Sequence, residues 1–286
     1  MKTILVKSFA KINICLDVLG KRSDGYHDLD MVMLPIHLHD SILISELKHA
    51  PDNMFSMDDF STGFLDYNIV VKVLDEFEKK YKFGRHFNIS IHKVIPMQAG
   101  LGGGSSNAAA TLNAVNKYVG VNASEDELIE LTKSLGADIP FFIKCKSARC
   151  QGIGEKLTEI NVKNQYYVLL VKPQEGCPTR TVYNLADTMT LRTGDVDAVI
   201  KALEEGDDEA LEGLIFNGLE GPAVTLVPEI PLIEEKIRNA GLKIVQMSGS
   251  GSSVFAISTN KKLIKKVAKD LEKENKYTVI VTKTIK

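Results

Sequence analysis

Residues 96–112, PMQAGLGGGSSNAAATL, decide how the rest of the chain is read. Upstream, Phe87, Ile89 and Ile91 alternate with Asn88, Ser90 and His92, the period of a half-buried strand. Downstream, Ala108, Leu112, Val115 and Val119 recur at helical spacing. Between them stand Gly100, Gly102, Gly103 and Gly104, then Ser105 and Ser106. A strand, a glycine-rich turn and a helix start together make an anion site. Residues without Cβ allow close backbone approach and φ > 0. The first helical turn leaves N–H groups unpaired, with the positive end of the helix dipole behind them. Ser105 or Ser106 is expected to cap this helix or to offer a hydroxyl to a phosphate or its metal. The alternative is a flexible linker or a tight turn that happens to hold four glycines, but linkers are not followed at once by an Ala-rich amphipathic helix. A P-loop would need a lysine beside Ser105, and the dinucleotide fingerprint would need a glycine in its place, counting from Gly100. The stretch reads as a phosphate cradle of a third kind.

Composition sets the outer limits. A chain of 286 residues suffices for one large domain or two ordinary ones. Hydrophobic content of 44% and charged content of 25% are those of a soluble globular protein. A formal net charge of −2 argues against nucleic acid as a partner, since no basic excess exists to neutralise phosphates. No apolar run of about 18 residues or more appears, so no membrane span is expected. The start, MKTILVKSFAK, lacks a full apolar segment and a cleavage site. Cys15, Cys145, Cys150 and Cys177 show no CxxC spacing, which suits a reduced cytoplasmic protein.

Residues 4–19 read as strand, with Ile12, Ile14, Leu16 and Val18 alternating with Asn13, Cys15, Asp17 and Leu19. Lys7 and Lys11 fall outside the apolar set and, taken alone, read as a solvated edge. A loop punctuated by Gly20 and Gly25 follows, ending in Tyr26 and His27, which could stack on and hydrogen-bond a ring or simply pack. Residues 31–44 again read as strand, with Pro35 at an edge or bulge. His37 and His39 have the spacing of a metal pair, but no third ligand stands nearby. Residues 50–66 read as an irregular surface excursion, and Asn68 precedes a helix, IVVKVLDEFEKKY. Ser124 and Glu127 form a capping box for a helix ending at Gly136. Asp138 follows, before Ile139, Pro140, Phe141 and Phe142, either as a turn residue or as a general base. A lobe boundary falls near residue 160, giving an N-terminal lobe of 1–160 and a C-terminal lobe of 161–286. The second lobe opens on an apolar strand at 166–171, with helices near 195–215 and 229–240. A second glycine–serine loop, residues 248–253, lies between strands KIVQM and VFAIS and reads as a tight hairpin. A helix over 262–274 and a strand over 277–285 complete an α+β lobe on an antiparallel sheet.

Assembled in this order, the chain resembles the GHMP kinases, named for galacto-, homoserine, mevalonate and phosphomevalonate kinases. The family's phosphate loop, Pro-x-x-x-Gly-Leu-Gly-x-(Gly)-Ser-Ser, is matched by Pro96 through Ser106, Leu101 included. AKINICLDVLGKRSDGYHDL (10–29), GADIPFF (136–142) and MSGSGSSVFA (247–256) narrow the resemblance to the branch acting on cytidyl-diphosphate methylerythritol. The resemblance implies an α+β, two-lobed fold: an N-terminal lobe like ribosomal protein S5 domain 2 and a ferredoxin-like C-terminal lobe, with ATP and substrate between them. It implies that Asp138 takes the substrate's hydroxyl proton, with Lys11 keeping it ionised. It places Pro96, Gly100, Leu101, Gly102, Gly103, Gly104, Ser105 and Ser106 on the ATP phosphates and Asn68 at the adenine. Asn13 and Thr179 fall near the substrate, while Tyr26, His27 and Tyr183 stack on and read its cytosine. ATP and Mg²⁺ are the implied cofactors, with Ser106 a candidate Mg²⁺ ligand, and a monomer or weak homodimer is expected. Two other readings are a kinase of the same family for another small alcohol and a non-catalytic nucleotide sensor. The tyrosine–histidine pair speaks against the first, and retention of Lys11 and Asp138 speaks against the second.

Overall fold

The structure, a computed structural model, describes residues 3–48, 50–58 and 68–286. The chain divides into two compact units, the first built from the described residues of Met1–Ala10, Leu38–Pro96 and Gly102–Cys145, the second from Lys11–His37, Met97–Leu101 and Lys146–Lys286. Strands β1 (Thr3–Lys21) and β2 (His27–Leu47) are long enough to contribute to both. The alternation read over residues 4–19 and 31–44 thus belongs to two continuous strands. Pro35 lies inside β2, between the residues paired with β5 (Ala148–Gly152) and those paired with β4 (His86–His92), and its carbonyl accepts from Ile285 N at 2.9 Å. A proline donates no ladder bond, so a place between two paired stretches suits it.

In the first unit, residues 41–47 of β2 pair antiparallel with β4, and β3 (Met54–Met57) pairs parallel with β4 on its other side. β3 is a correction: residues 54–57 are ordered strand rather than irregular excursion, while 59–66 lie outside the described residues. Helix α1 (Ile69–Tyr81) buries Val70, Val73, Leu74 and Phe77, and α2 (Gly103–Val119) buries Ala108, Leu112 and Val115. Burying one such aliphatic or aromatic side chain stabilises by ~1.5–3 kcal/mol, so these two apolar stripes drive the packing of the helices, which lie against each other. The capping box at Ser124 forms as expected. Helix α3, however, is Glu125–Thr132, shorter than its pattern, and beyond it the chain turns more tightly, Leu135 N donating to the Thr132 carbonyl at 2.9 Å. A short helix, α4 (Ile139–Lys144), follows with Pro140 in its first turn, where a missing N–H costs nothing.

The second unit carries β5 and β6 (Lys156–Glu159), a further strand pair, and a four-stranded antiparallel sheet. That sheet comprises β7 (Tyr167–Lys172), β9 (Ile244–Met247), β10 (Val254–Ser258) and β11 (Thr278–Lys283), in the order β11-β7-β10-β9. This is the order a ferredoxin-like lobe requires. Helix α10 (Lys261–Glu272) buries Ile264, Val267, Ala268 and Leu271, and α9 (Glu229–Asn239) buries Ile230, Ile233 and Ile237. Between β7 and α9 run α5 (Thr179–Ala186), α6 (Val196–Glu205), α7 (Asp208–Leu214), the two-residue β8 (Phe216–Asn217) and α8 (Glu220–Leu226). The periodicity anticipated α6, α7 and α9 but neither α5 nor α8, each of which is only about two turns long.

Candidate active site

Within the first unit, the cradle helix starts where glycine allows it. Gly102 adopts φ 70°, ψ 18°, and α2 begins at Gly103 with no side-chain cap. The first-turn N–H groups are therefore left for a ligand rather than for a serine. The capping role expected of Ser105 or Ser106 is thus corrected: both lie inside the helix. Ser106 is buried and its hydroxyl donates to the Phe9 carbonyl at 2.6 Å, whereas Gly104 is exposed and Ser105 half-buried. The residues leading into the cradle are fixed by Asp40, fully buried, which accepts from Val94 N at 2.7 Å, Ile95 N at 2.8 Å and Lys93 Nζ at 2.6 Å. Asn68 caps α1, its Oδ1 accepting from Val70 N at 2.9 Å. Asp138 occupies the N-cap position of α4 but makes no capping bond, so its carboxylate is not spent on the helix.

Within the second unit, the other half of the glycine loop is held by the second glycine–serine loop. Ser252 N donates to the Gln98 carbonyl at 3.3 Å and Ser253 N to that of Ala99 at 3.4 Å, while Ser248 Oγ donates to that of Gly100 at 3.0 Å. A Cβ on Gly100, whose φ is 70°, would stand 1.8 Å from the Ser248 carbonyl oxygen. The 248–253 turn read as a hairpin is therefore also a support for the phosphate loop. Asn217 Nδ2 braces it in turn, donating to the carbonyls of Met247 at 2.9 Å and Gly249 at 2.8 Å. Lys11 is a further correction: it is 3% exposed rather than a solvated edge. Its backbone N–H donates to Leu101 O at 3.1 Å and its Nζ donates to Asn13 Oδ1. A buried ammonium needs such hydrogen-bond acceptors to offset its lost hydration.

The same unit brings together aromatic residues that lie far apart in sequence. His27 and Tyr183 stack with ring centroids 4.9 Å apart and planes tilted by 31°. Tyr26 is 49% exposed at the end of a tight turn, in which its N–H donates to Asp24 Oδ1 at 3.0 Å. Thr179, the first residue of α5, has its hydroxyl 3.0 Å from that of Ser250. Sequence reasoning missed Asp187 and Lys21. Asp187 Oδ1 lies 2.7 Å from His27 Nε2, and Asp187 Oδ2 accepts from Lys21 Nζ at 2.5 Å. The only signal was the spacing of Tyr183 and Asp187, four residues apart and thus on one helix face. Among the described residues no cluster of three His, Cys, Asp or Glu could hold a metal, the surroundings of His37 and His39 included. None of the four cysteines forms a disulfide. No helix of the described residues is long and apolar enough to cross a membrane.

Two family models match, GHMP kinases N terminal domain over residues 68–146 and GHMP kinases C terminal over 199–277. The chain belongs to the GHMP kinase family, and with that the expected two-lobed α+β fold stands. It is a small-molecule kinase with ATP as phosphoryl donor. Among its relatives is the 4-diphosphocytidyl-2-C-methyl-D-erythritol kinase of Acetivibrio thermocellus, 37% identical over 286 residues, all of both chains. The enzyme of the same name from Clostridium acetobutylicum is 37% identical over 98% of this chain and 99% of its own. A crystal structure of 4-(cytidine 5'-diphospho)-2C-methyl-D-erythritol kinase superposes with a TM-score of 0.80 at 28% identity, covering 98% of this chain and 99% of that one.

Proposed function

We propose that this protein transfers the γ-phosphoryl group of ATP to the 2-hydroxyl of 4-diphosphocytidyl-2-C-methyl-D-erythritol, a step of non-mevalonate isoprenoid precursor synthesis. The observation that carries the reading is the end-to-end match to kinases bearing that substrate in their names. The paired rings of His27 and Tyr183 support it, since mevalonate and homoserine have no base to stack. Phosphoryl transfer asks for positioning and charge stabilisation more than for covalent help. The first-turn N–H groups of α2 suit the nucleotide's phosphates, and Asn68 is assigned to the adenine. We assign Asp138 as the group that takes the hydroxyl proton and Lys11 as the cation that favours its ionised form. Asn13 and Thr179 are assigned to the sugar-alcohol end of the substrate, and Tyr26, His27 and Tyr183 to its base. Mg²⁺ belongs to the same proposal only as a companion of ATP: the described residues build no protein cage for it, and Ser106 already donates to Phe9. The lobe boundary near residue 160 suits the placement of the two family models on either side of it. A cytoplasmic monomer or weak homodimer without nucleic acid completes the proposal.

The test is ADP release with Mg-ATP and the cytidyl substrate, with mevalonate and homoserine as comparison acceptors. Turnover confined to the cytidyl compound is expected. Turnover on another acceptor would keep the kinase and discard the base-reading roles, and ATP binding without turnover on any acceptor would favour a nucleotide sensor.

A further inference from the structure

Two side chains from one helix face converge on a single imidazole. Tyr183 lays its ring against His27, and Asp187, four residues further along, sets one carboxylate oxygen 2.7 Å from His27 Nε2. The other oxygen accepts from Lys21 Nζ. Lys21 first, and His27 after it, hold the Asp187 carboxyl below its ordinary range. An ionised carboxylate only accepts hydrogen bonds. Nε2 must therefore donate, and a neutral imidazole that donates through Nε2 keeps its lone pair on Nδ1. His27 is 9% exposed, and the stacked ring on one side and the carboxylate at its edge leave its plane little freedom.

We propose that Asp187 is a positioning residue that fixes the Nε2-protonated tautomer of His27, so that Nδ1 presents an acceptor and selects a pyrimidine with an exocyclic amine over one with an oxygen there. The inference rests on the cytidyl substrate proposed above. Cytosine offers an amine donor at its 4-position, whereas an oxo-pyrimidine offers an acceptor there. Opposite the Nδ1 lone pair the first forms a hydrogen bond, and the second leaves two lone pairs facing each other. Sites built to hydrogen-bond a substrate group reject an analogue lacking it far more strongly than apolar sites reject a missing methylene. Lys21 keeps the carboxylate ionised, and so preserves the acceptor that holds the tautomer.

The test compares cytidyl- and uridyl-diphosphate methylerythritol in the wild type, Asp187→Asn and Asp187→Glu. An asparagine amide can donate or accept, so Nε2 is no longer obliged to donate. In Asp187→Asn the ratio of kcat/KM for the cytidyl over the uridyl compound should fall by ~10-fold or more. The change should lie in KM for that substrate, with KM for ATP unchanged. Asp187→Glu, which keeps an acceptor-only carboxylate, should restore part of the ratio. In ¹⁵N NMR of the ligand-free protein, His27 should show the Nε2–H tautomer in the wild type and a mixture in Asp187→Asn. An Nδ1–H ring in the wild type would overturn the proposal, whatever the variants do. So would an undiminished ratio in a folded Asp187→Asn. A wild type that turns over some other acceptor and no cytidyl compound would instead overturn the proposed substrate and the selection with it. That result is recognised by inactivity of the wild type on the cytidyl compound.

Discussion

Lys11 and Asp138 show how little a residue's type says without its surroundings. As letters, one is a lysine on a strand and the other an aspartate ahead of Ile-Pro. In the structure Lys11 is 3% exposed, its ammonium donating to Asn13, and the Asp138 side chain caps nothing although it stands at a helix N-terminus. The proposed base role of Asp138 makes a direct prediction. Asp138→Asn should lower kcat by ~10²–10⁴-fold, the usual worth of a positioned base, with ATP affinity retained. ADP release and nucleotide titration on the same preparation check this, and near-normal turnover would remove Asp138 from the base role. Lys11→Ala should cost turnover on the order of 10²-fold, the size found when one charge-stabilising donor is deleted. Thermal unfolding alongside the kinetics separates the alternatives: a lower Tm with normal turnover would make Lys11 a structural residue.

The glycines of the phosphate loop are not equivalent. Gly100 belongs to a backbone contact, since an added Cβ would stand 1.8 Å from the Ser248 carbonyl oxygen at a φ of 70°. Gly104 belongs to the exposed start of α2, where the nearest atom to an added Cβ is Ile69 Cγ2 at 4.0 Å. Gly100→Ala must part the two glycine loops and hold a left-handed alanine, a backbone cost of ~1–3 kcal/mol before any clash. Its Tm should drop and its activity should fall with it. Gly104→Ala should fold as well as the wild type and, if the proposed phosphate site is right, raise KM for ATP, because the added methyl group meets no closer neighbour. Equal thermal stability in the two variants would overturn this division of labour. Strand, loop and helix were legible here because each has a local period. The pairing of the two loops was not, because Gly100 and Ser248 lie 148 residues apart.

At the scale of the whole molecule, a buried acid couples stability to pH. Glu234 on α9 is 8% exposed, with Oε1 unpartnered and Arg238 Nη2 3.4 Å from Oε2. Burial first, then the nearby Glu220 charge, push its carboxyl up from 4.5 to about 7. Between those values the unfolded chain releases the proton that the folded chain keeps, so raising the pH favours unfolding. The stabilisation is complete below about 4.5 and gone above about 7, a loss on the order of 3 kcal/mol. Glu234→Gln keeps the neutral shape, so its Tm should change less than the wild type's between pH 5 and pH 8. An unaltered difference would show that Glu234 is not the group responsible.

The longer strands and helices, the strand–glycine turn–helix of residues 87–119 and the kinase family were readable from the chain alone. They rest on short-range periods, on glycine's backbone freedom and on motifs that are contiguous. Short helices such as α5 and α8 escaped because two turns carry too few apolar positions to show a period. Only the folded chain decided that Lys11 is interior, that the second glycine loop supports the first, and that Asp187 meets His27 across 160 residues. Burial and hydrogen-bond partnership between distant residues depend on how elements pack, and local sequence leaves no trace of that.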